Sequence, residues 1–163
     1  MGNHRRCDRG AAAVEFAILL PLLLLIVFEI ISWGYMFSFR QALSQAAEEG
    51  ARAAVGGPTS GCPATASWNV SGCAPGTAAA GAVANALSSY QNGGAALTCD
   101  GGGLTCSIAQ APASSCQASV CVQVTVTYPY RSQPLLHGMP SGVPPFSLVL
   151  PPDLTFTSIV GVS

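Results

Sequence analysis

The sequence predicts an α+β protein: a long N-terminal α-helix of membrane-spanning length that extends into a small domain with a short helix and an antiparallel sheet. Three observations carry this. Ala11 to Ile31 is an almost unbroken apolar run, about 31 Å long as a helix, which matches the hydrocarbon thickness of a bilayer. Ser32 to Val55 contains no proline and meets Gly56-Gly57-Pro58, a strong end signal for a helix. Val120, Val122, Val124, Val126 and Tyr128 alternate with Cys121, Gln123, Thr125 and Thr127, as in a strand with one buried face. Helix first and strands later is the order of an α+β layer. The chain divides accordingly into a basic leader, 1–10, a transmembrane and extended helix, 11–56, and an extracytoplasmic disulfide-containing domain, 57–163.

Arg5, Arg6 and Arg9 precede the apolar run, and Trp33, Tyr35 and Phe37 follow it. Positive charge favours the cytoplasmic side and aromatic rings favour the membrane interface. This places the N-terminus in the cytoplasm, although Arg40 and Arg52 beyond the run keep the charge bias modest. A secretory signal peptide is the competing reading, but its apolar core is shorter and ends in a small-residue cleavage site.

Two carboxylates, Glu15 and Glu29, lie inside the run. Charge at such depth is expensive and usually functional. Fourteen positions of helix return Glu29 to within about 40° of the face of Glu15. The stripe Glu15, Ile18, Leu22, Ile26, Glu29 is expected to face protein rather than lipid. Alternatively, Glu29 sits near the outer interface and reaches water.

Past the membrane, Gln41, Ser44, Gln45, Glu48 and Arg52 form a polar face, with Glu48 and Arg52 spaced for an i,i+4 pair. Ala42, Ala46, Gly50 and Ala54 repeat every four residues on the opposite side, beside Leu43, Ala47, Ala51 and Val55. Small residues at this spacing let a second backbone approach closely. The ridge packs either on the domain's own sheet or on the helix of another subunit.

Gly57 to Gly76 reads as a linker, and Asn69-Val70-Ser71 within it is a weak glycosylation pattern. Thr77 to Gln91 reads as a short helix stopped by Asn92-Gly93-Gly94. Ala96–Cys99 and Leu104–Ile108 flank Asp100-Gly101-Gly102-Gly103 as a hairpin. Phe146–Leu150 and Leu154–Val160 are expected as final strands on either side of Pro151-Pro152.

Half of the 163 residues are hydrophobic, 8% are charged, and the net charge is −1. No basic patch exists to neutralise phosphates, which excludes a nucleic-acid partner. Cys62, Cys73, Cys99, Cys106, Cys116 and Cys121 all lie beyond the apolar run, and Cys7 alone lies before it. An even set on one side predicts three disulfides in an oxidising space. Spacing leaves their pairing open, with Cys62–Cys73 the first candidate for a local bridge. No C-x-x-C pair, nucleophile elbow, phosphate loop or H-E-x-x-H motif occurs. His137 and Asp153 could be combined with a serine on paper, but a solvated loop histidine is the better reading. No enzyme activity, metal site or cofactor is expected.

Arg9-Gly10-Ala11-Ala12-Ala13-Val14-Glu15-Phe16-Ala17, the Leu20-Pro21-Leu22 step, and Phe39-Arg40-Gln41-Ala42-Leu43 through Ala46-Ala47-Glu48-Glu49-Gly50-Ala51-Arg52-Ala53-Ala54 carry a resemblance. This block resembles the TadE-like family of pilin-like membrane proteins from tight-adherence (Flp-type) pilus systems. It covers about the first third of the chain. The family often places an acidic residue just before an aromatic-glycine pair. Here Ser32 holds that place before Trp33-Gly34, and Glu29 lies three residues earlier.

The resemblance implies a minor pilin or pseudopilin, single-pass in the cytoplasmic (inner) membrane, that assembles or anchors the pilus. It implies a prepilin peptidase cutting between Gly10 and Ala11. It also implies a contact between Glu15 and the new N-terminal ammonium of its own or a neighbouring chain. Partners would be other pilin-like subunits, the inner-membrane assembly platform and membrane lipid. Glu15, Glu29, Ala42, Ala46, Gly50 and Ala54 are the candidate contact residues. A signal-anchored extracytoplasmic binding module unrelated to pili is the alternative.

Overall fold

The structure is a computed structural model, and it describes residues 7–63, 67–68, 72–116, 118, 120–135 and 150–162. Asn69-Val70-Ser71, His137, Arg5, Arg6 and all of the Phe146–Leu150 stretch but Leu150 lie outside the described residues. The chain forms two compact units, Met1–Ser38 and Phe39–Ser163. The second is called the head below.

Helix α1 spans Cys7–Ala54, with Pro21 inside it. Among the described residues one helix, α1, is long and apolar enough to cross a membrane, with a mean hydropathy of 2.7 in its apolar window. Pro21 lacks the N–H that would bond the carbonyl of Ala17. Ser32 donates its hydroxyl to the carbonyl of Phe28 at 2.5 Å, so its polar group is satisfied within the helix.

In the head, α2 covers Ala74–Ala86 and a three-stranded antiparallel sheet has the order β3-β4-β5. Its strands are β3 Thr105–Ala111, β4 Val120–Tyr128 and β5 Leu154–Val162. The alternation read from the sequence falls as expected. Val122, Val124, Val126 and Tyr128 are fully buried, while Gln123, Thr125 and Thr127 point to the other face, half-buried. On that outer face Thr125 pairs hydroxyls with Thr157 at 2.9 Å, and Thr127 with Thr155 at 3.1 Å. These are cross-strand contacts set by the register Thr125↔Thr157 and Thr127↔Thr155.

The core of the head lies between the sheet's inner face and residues 39–54 of α1. Phe39 is the aromatic hub, with ring centroids 5.1 Å from Tyr90, 5.1 Å from Tyr128 and 6.1 Å from Tyr130. Tyr128 donates its hydroxyl to the carbonyl of Gln133 at 2.8 Å, which satisfies the one polar atom of a fully buried ring. Farther along the helix, a Cβ at Gly50 would come within 2.8 Å of Val83 Cγ2 in α2 and 3.3 Å of Val124 Cγ1 in β4. Helix α1 therefore runs from Tyr128 towards Val124, opposite to the direction of β4.

Three expectations are corrected. The short helix is Ala74–Ala86 rather than Thr77–Gln91, because Pro75 in the first turn starts it earlier. Leu87 and Tyr90, inside the helix expected from the sequence, lie past its end. Asn92-Gly93-Gly94 is a hairpin turn rather than a helix stop: β1 Gln91–Asn92 pairs with β2 Ala95–Ala96. Gly93 and Gly94 have φ of 58° and 83°, as a tight two-residue turn requires. Asp100 to Gly103 does turn the chain, but through isolated bridges of Gly101 with Thr98 and with Leu104. The strand after it, β3, pairs with β4.

The linker is anchored by Trp68, which is 2% exposed. Its indole donates to the carbonyl of Pro63 at 2.9 Å, and its backbone N–H donates to Ile108 of β3 at 2.6 Å. Gly76 sits so close to the Trp68 carbonyl that a Cβ there would collide with it. Only glycine lets α2 approach this far.

Candidate functional site

The residues singled out by sequence fall into three groups, and the structure treats each differently. The first is the N-terminal stretch of α1. Gly10 is exposed, and nothing lies within 4 Å of a Cβ built on it. The fold itself thus sets no requirement for glycine there. Ala11 follows within the same helix. Glu15 is exposed and Glu29 half-buried. Neither belongs to an ion pair among the described residues. Around them Val14, Phe16, Ile18, Leu22, Ile26 and Ile30 are 51–70% exposed. A surface of this kind is foreign to water and suits lipid or protein. The two carboxylates, fourteen positions apart, are the ionisable groups set into it.

The second group is the small-residue ridge. Ala46 and Ala54 are fully buried, Gly50 is buried against Val83 and Val124, and Ala42 is half-buried. Of the two readings of this ridge, the structure has the packing on the domain's own elements. Ala46, Gly50 and Ala54 are therefore not open to a partner helix, which corrects their assignment as contact residues. Close approach by α2 and β4 is the physical reason for glycine at position 50. On the opposite side, Arg52 pairs with Glu49 at 3.5 Å rather than with Glu48. Both side chains are more than half exposed, so this pair adds little stability.

The third group is the cysteines. Three disulfides join Cys62 to Cys73, Cys99 to Cys106 and Cys116 to Cys121, with Cα separations of 4.6, 5.1 and 6.2 Å. The first staples the linker to the start of α2, and the second closes the turn before β3. The third closes the approach to β4, and its Cys116 Sγ lies 3.7 Å from where Gly161 would carry a Cβ. With these six paired, thiol counting on unfolded, unreduced protein is expected to find a single reactive cysteine, Cys7, in chains that keep residues 1–10 and none in chains that begin at Ala11. Several reactive thiols would refute this.

No group of three or more His, Cys, Asp or Glu side chains among the described residues could hold a metal ion. The aromatic cluster around Phe39 was not read from the sequence. Its members come from three distant segments, and the one local signal is the tyrosine pair flanking Pro129.

A helix long and apolar enough to span a membrane, joined to a disulfide-bonded α+β head, fits the class of single-pass membrane proteins with a small disulfide-bonded domain. The N-terminal block narrows it. Residues 10–52 match the family model described as TadE-like protein, the same block on which the sequence resemblance rests. The match covers 43 of the 163 residues, from Gly10 to Arg52. No curated protein and no solved structure matches the chain.

Proposed function

We propose that this chain is a minor pilin- or pseudopilin-like protein that acts in assembly or anchoring of a tight-adherence pilus. The observation that carries this is the coincidence of the TadE-like match over residues 10–52 with carboxylates set into an exposed apolar helix. The chain sits once in the cytoplasmic membrane, leader inside and head outside. Three basic residues before the run and six disulfide-bonded cysteines beyond it support that orientation. A prepilin peptidase removes residues 1–10. The Ala11 ammonium and Glu15 then compensate each other, within one chain or between neighbours, because an unpaired charge in low dielectric is costly. The head and the acidic stripe meet other pilin-like subunits and the membrane platform.

Recruitment tests the reading. Glu15→Leu makes the segment more apolar and is expected to insert normally while co-purifying at least about tenfold less with other pilin-like subunits, the loss of one pairing worth about 1.4 kcal/mol or more. Glu29→Leu is expected to act in the same direction, more weakly. Unchanged co-purification of Glu15→Leu would remove the proposed role of this carboxylate. N-terminal sequencing separates the alternative: a chain beginning at Ala11 fits the pilin class, and one beginning at Met1 fits a signal-anchored binding module.

A further inference from the structure

The three disulfides are not equally poised for exchange. In each, one sulfur belongs to a half-buried cysteine (Cys62, Cys99, Cys116) and the other to a buried one (Cys73, Cys106, Cys121). An attacking thiolate therefore reaches the first and expels the second. How readily the bond opens depends on where the expelled thiolate is left.

Cys106 and Cys121 lie inside strands β3 and β4. Cys73 instead holds the N-cap position of α2, and its side chain makes no capping hydrogen bond there. A thiolate released at a helix N-terminus is stabilised by the first-turn amides and the dipole, which makes it the better leaving group. Burial acts the other way. Cys73 and Cys121 are both 0% exposed and Cys106 9%, so burial barely separates the three and helix position does.

The sulfur at the other end has an approach. A cavity of about 190 Å³ is lined by Cys62 together with Thr59, Pro63, Trp68, Gln110 and Val120. Thr59 and Gln110 bring a hydroxyl and an amide, donors that suit an anion, and no carboxylate lines the wall. The Cys62 N–H donates to the carbonyl of Thr59 at 3.1 Å, so the two residues share one turn. Gly61 in this turn has φ of 96°, and a Cβ on it would lie 2.6 Å from the carbonyl oxygen of Gly72. That approach holds the neighbours of Cys62 and Cys73 together without help from the bridge, so an opened pair keeps its sulfurs close.

We propose that the Cys62–Cys73 bridge is an exchange site for a protein dithiol that enters this cavity. One thiolate of the dithiol attacks Cys62 Sγ. A mixed disulfide forms, the bond between Cys62 and Cys73 breaks, and the electron pair leaves on Cys73 Sγ. The second thiolate of the dithiol then attacks its own sulfur in the mixed disulfide and frees Cys62. The dithiol is oxidised by two electrons to a disulfide, and the bridge is reduced to two thiols. The change in the head is local. The linker loses its staple to α2, while Trp68 keeps its bonds to Pro63 and Ile108.

The test uses the full-length protein in detergent, with Cys7→Ser so that no thiol of the chain competes, and reduced glutathione as probe at mildly alkaline pH. Acid quenching, alkylation and peptide mass spectrometry read which sulfur carries the adduct. The adduct is expected on Cys62, with Cys73 alkylated, and this bridge should open at least about tenfold faster than the other two. Dithiothreitol should open the same bridge first and leave no adduct, because a dithiol resolves it. Gln110→Glu puts an anion in the cavity wall, and Ala74→Glu puts one beside the expelled thiolate in the exposed first residue of α2. Each should slow opening at least about threefold, whereas Ser107→Glu on the outer face of β3 should not.

Three outcomes overturn the proposal. An adduct mainly on Cys73 reverses the direction of attack. A common rate at all three bridges means that reduction waits for the head to unfold. Parental rates in both Gln110→Glu and Ala74→Glu remove the cavity and the helix end from the reaction. None of these readouts involves a pilus, so failure here is distinct from failure of the Glu15 recruitment test.

Discussion

Phe39→Ala is expected to destabilise the head by about 3–5 kcal/mol, the range for deleting a buried phenyl ring. Phe39 is 0% exposed, and its ring meets Tyr90, Tyr128 and Tyr130 at centroid distances of 5.1–6.1 Å. Each well-oriented aromatic pair adds about 0.5–1.5 kcal/mol beyond the area it buries. The three tyrosines come from the turn after α2, the end of β4 and the turn beyond it. Removing the ring leaves a cavity where all three segments join α1. Urea unfolding in detergent, followed by near-ultraviolet circular dichroism, measures the loss. Phe39→Leu should cost less, since it keeps much of the volume. A loss below about 1 kcal/mol for the alanine variant would mean the cluster does not hold the head together.

The second large effect is all-or-none. Gly10→Val is expected to leave the leader attached, read as the intact mass of the membrane-extracted protein. The structure makes this a clean experiment. Nothing lies within 4 Å of a Cβ at Gly10, and valine is a better helix former than glycine. The variant should fold and insert as before. Retention of residues 1–10 would then report on the peptidase rather than on a damaged fold. A variant trimmed to Ala11 like the parent would end the processing assignment.

Much of the fold was legible because its strongest signals are local. The apolar run and the Gly56-Gly57-Pro58 stop mark α1, and alternating valines mark β4. Where a local signal is ambiguous, two rules compete for the same residues. Asn92-Gly93-Gly94 satisfies a helix stop and a hairpin turn equally well, and only pairing of Gln91–Asn92 with Ala95–Ala96 decides between them. Pro75 allows an earlier helix start, and its effect is clear only once Gly76 is seen against Trp68.

The candidate site divides in the same way. Glu15 and Glu29 stand out by sequence because charge is rare in apolar runs. Ala46, Gly50 and Ala54 carry no such mark, since a ridge of small residues serves an internal partner as well as an external one. What lies against it depends on contacts between residues far apart in sequence, Gly50 with Val83 and Val124.

The three disulfides join each cysteine to the next one along the chain, 62 to 73, 99 to 106 and 116 to 121, with separations of 11, 7 and 5 residues. No bridge spans another. Loops this short restrict the unfolded chain only modestly, about 2–3 kcal/mol each. The gain is in order of events. A chain anchored with its N-terminus inside passes the segment next to the anchor across first and the C-terminus last, so its cysteines emerge in sequence, and each odd-numbered arrival of the six needs only wait for its successor. A simple dithiol oxidant that joins neighbours as they emerge thereby writes the native connectivity at once, with no mispaired intermediate left for an isomerase to correct.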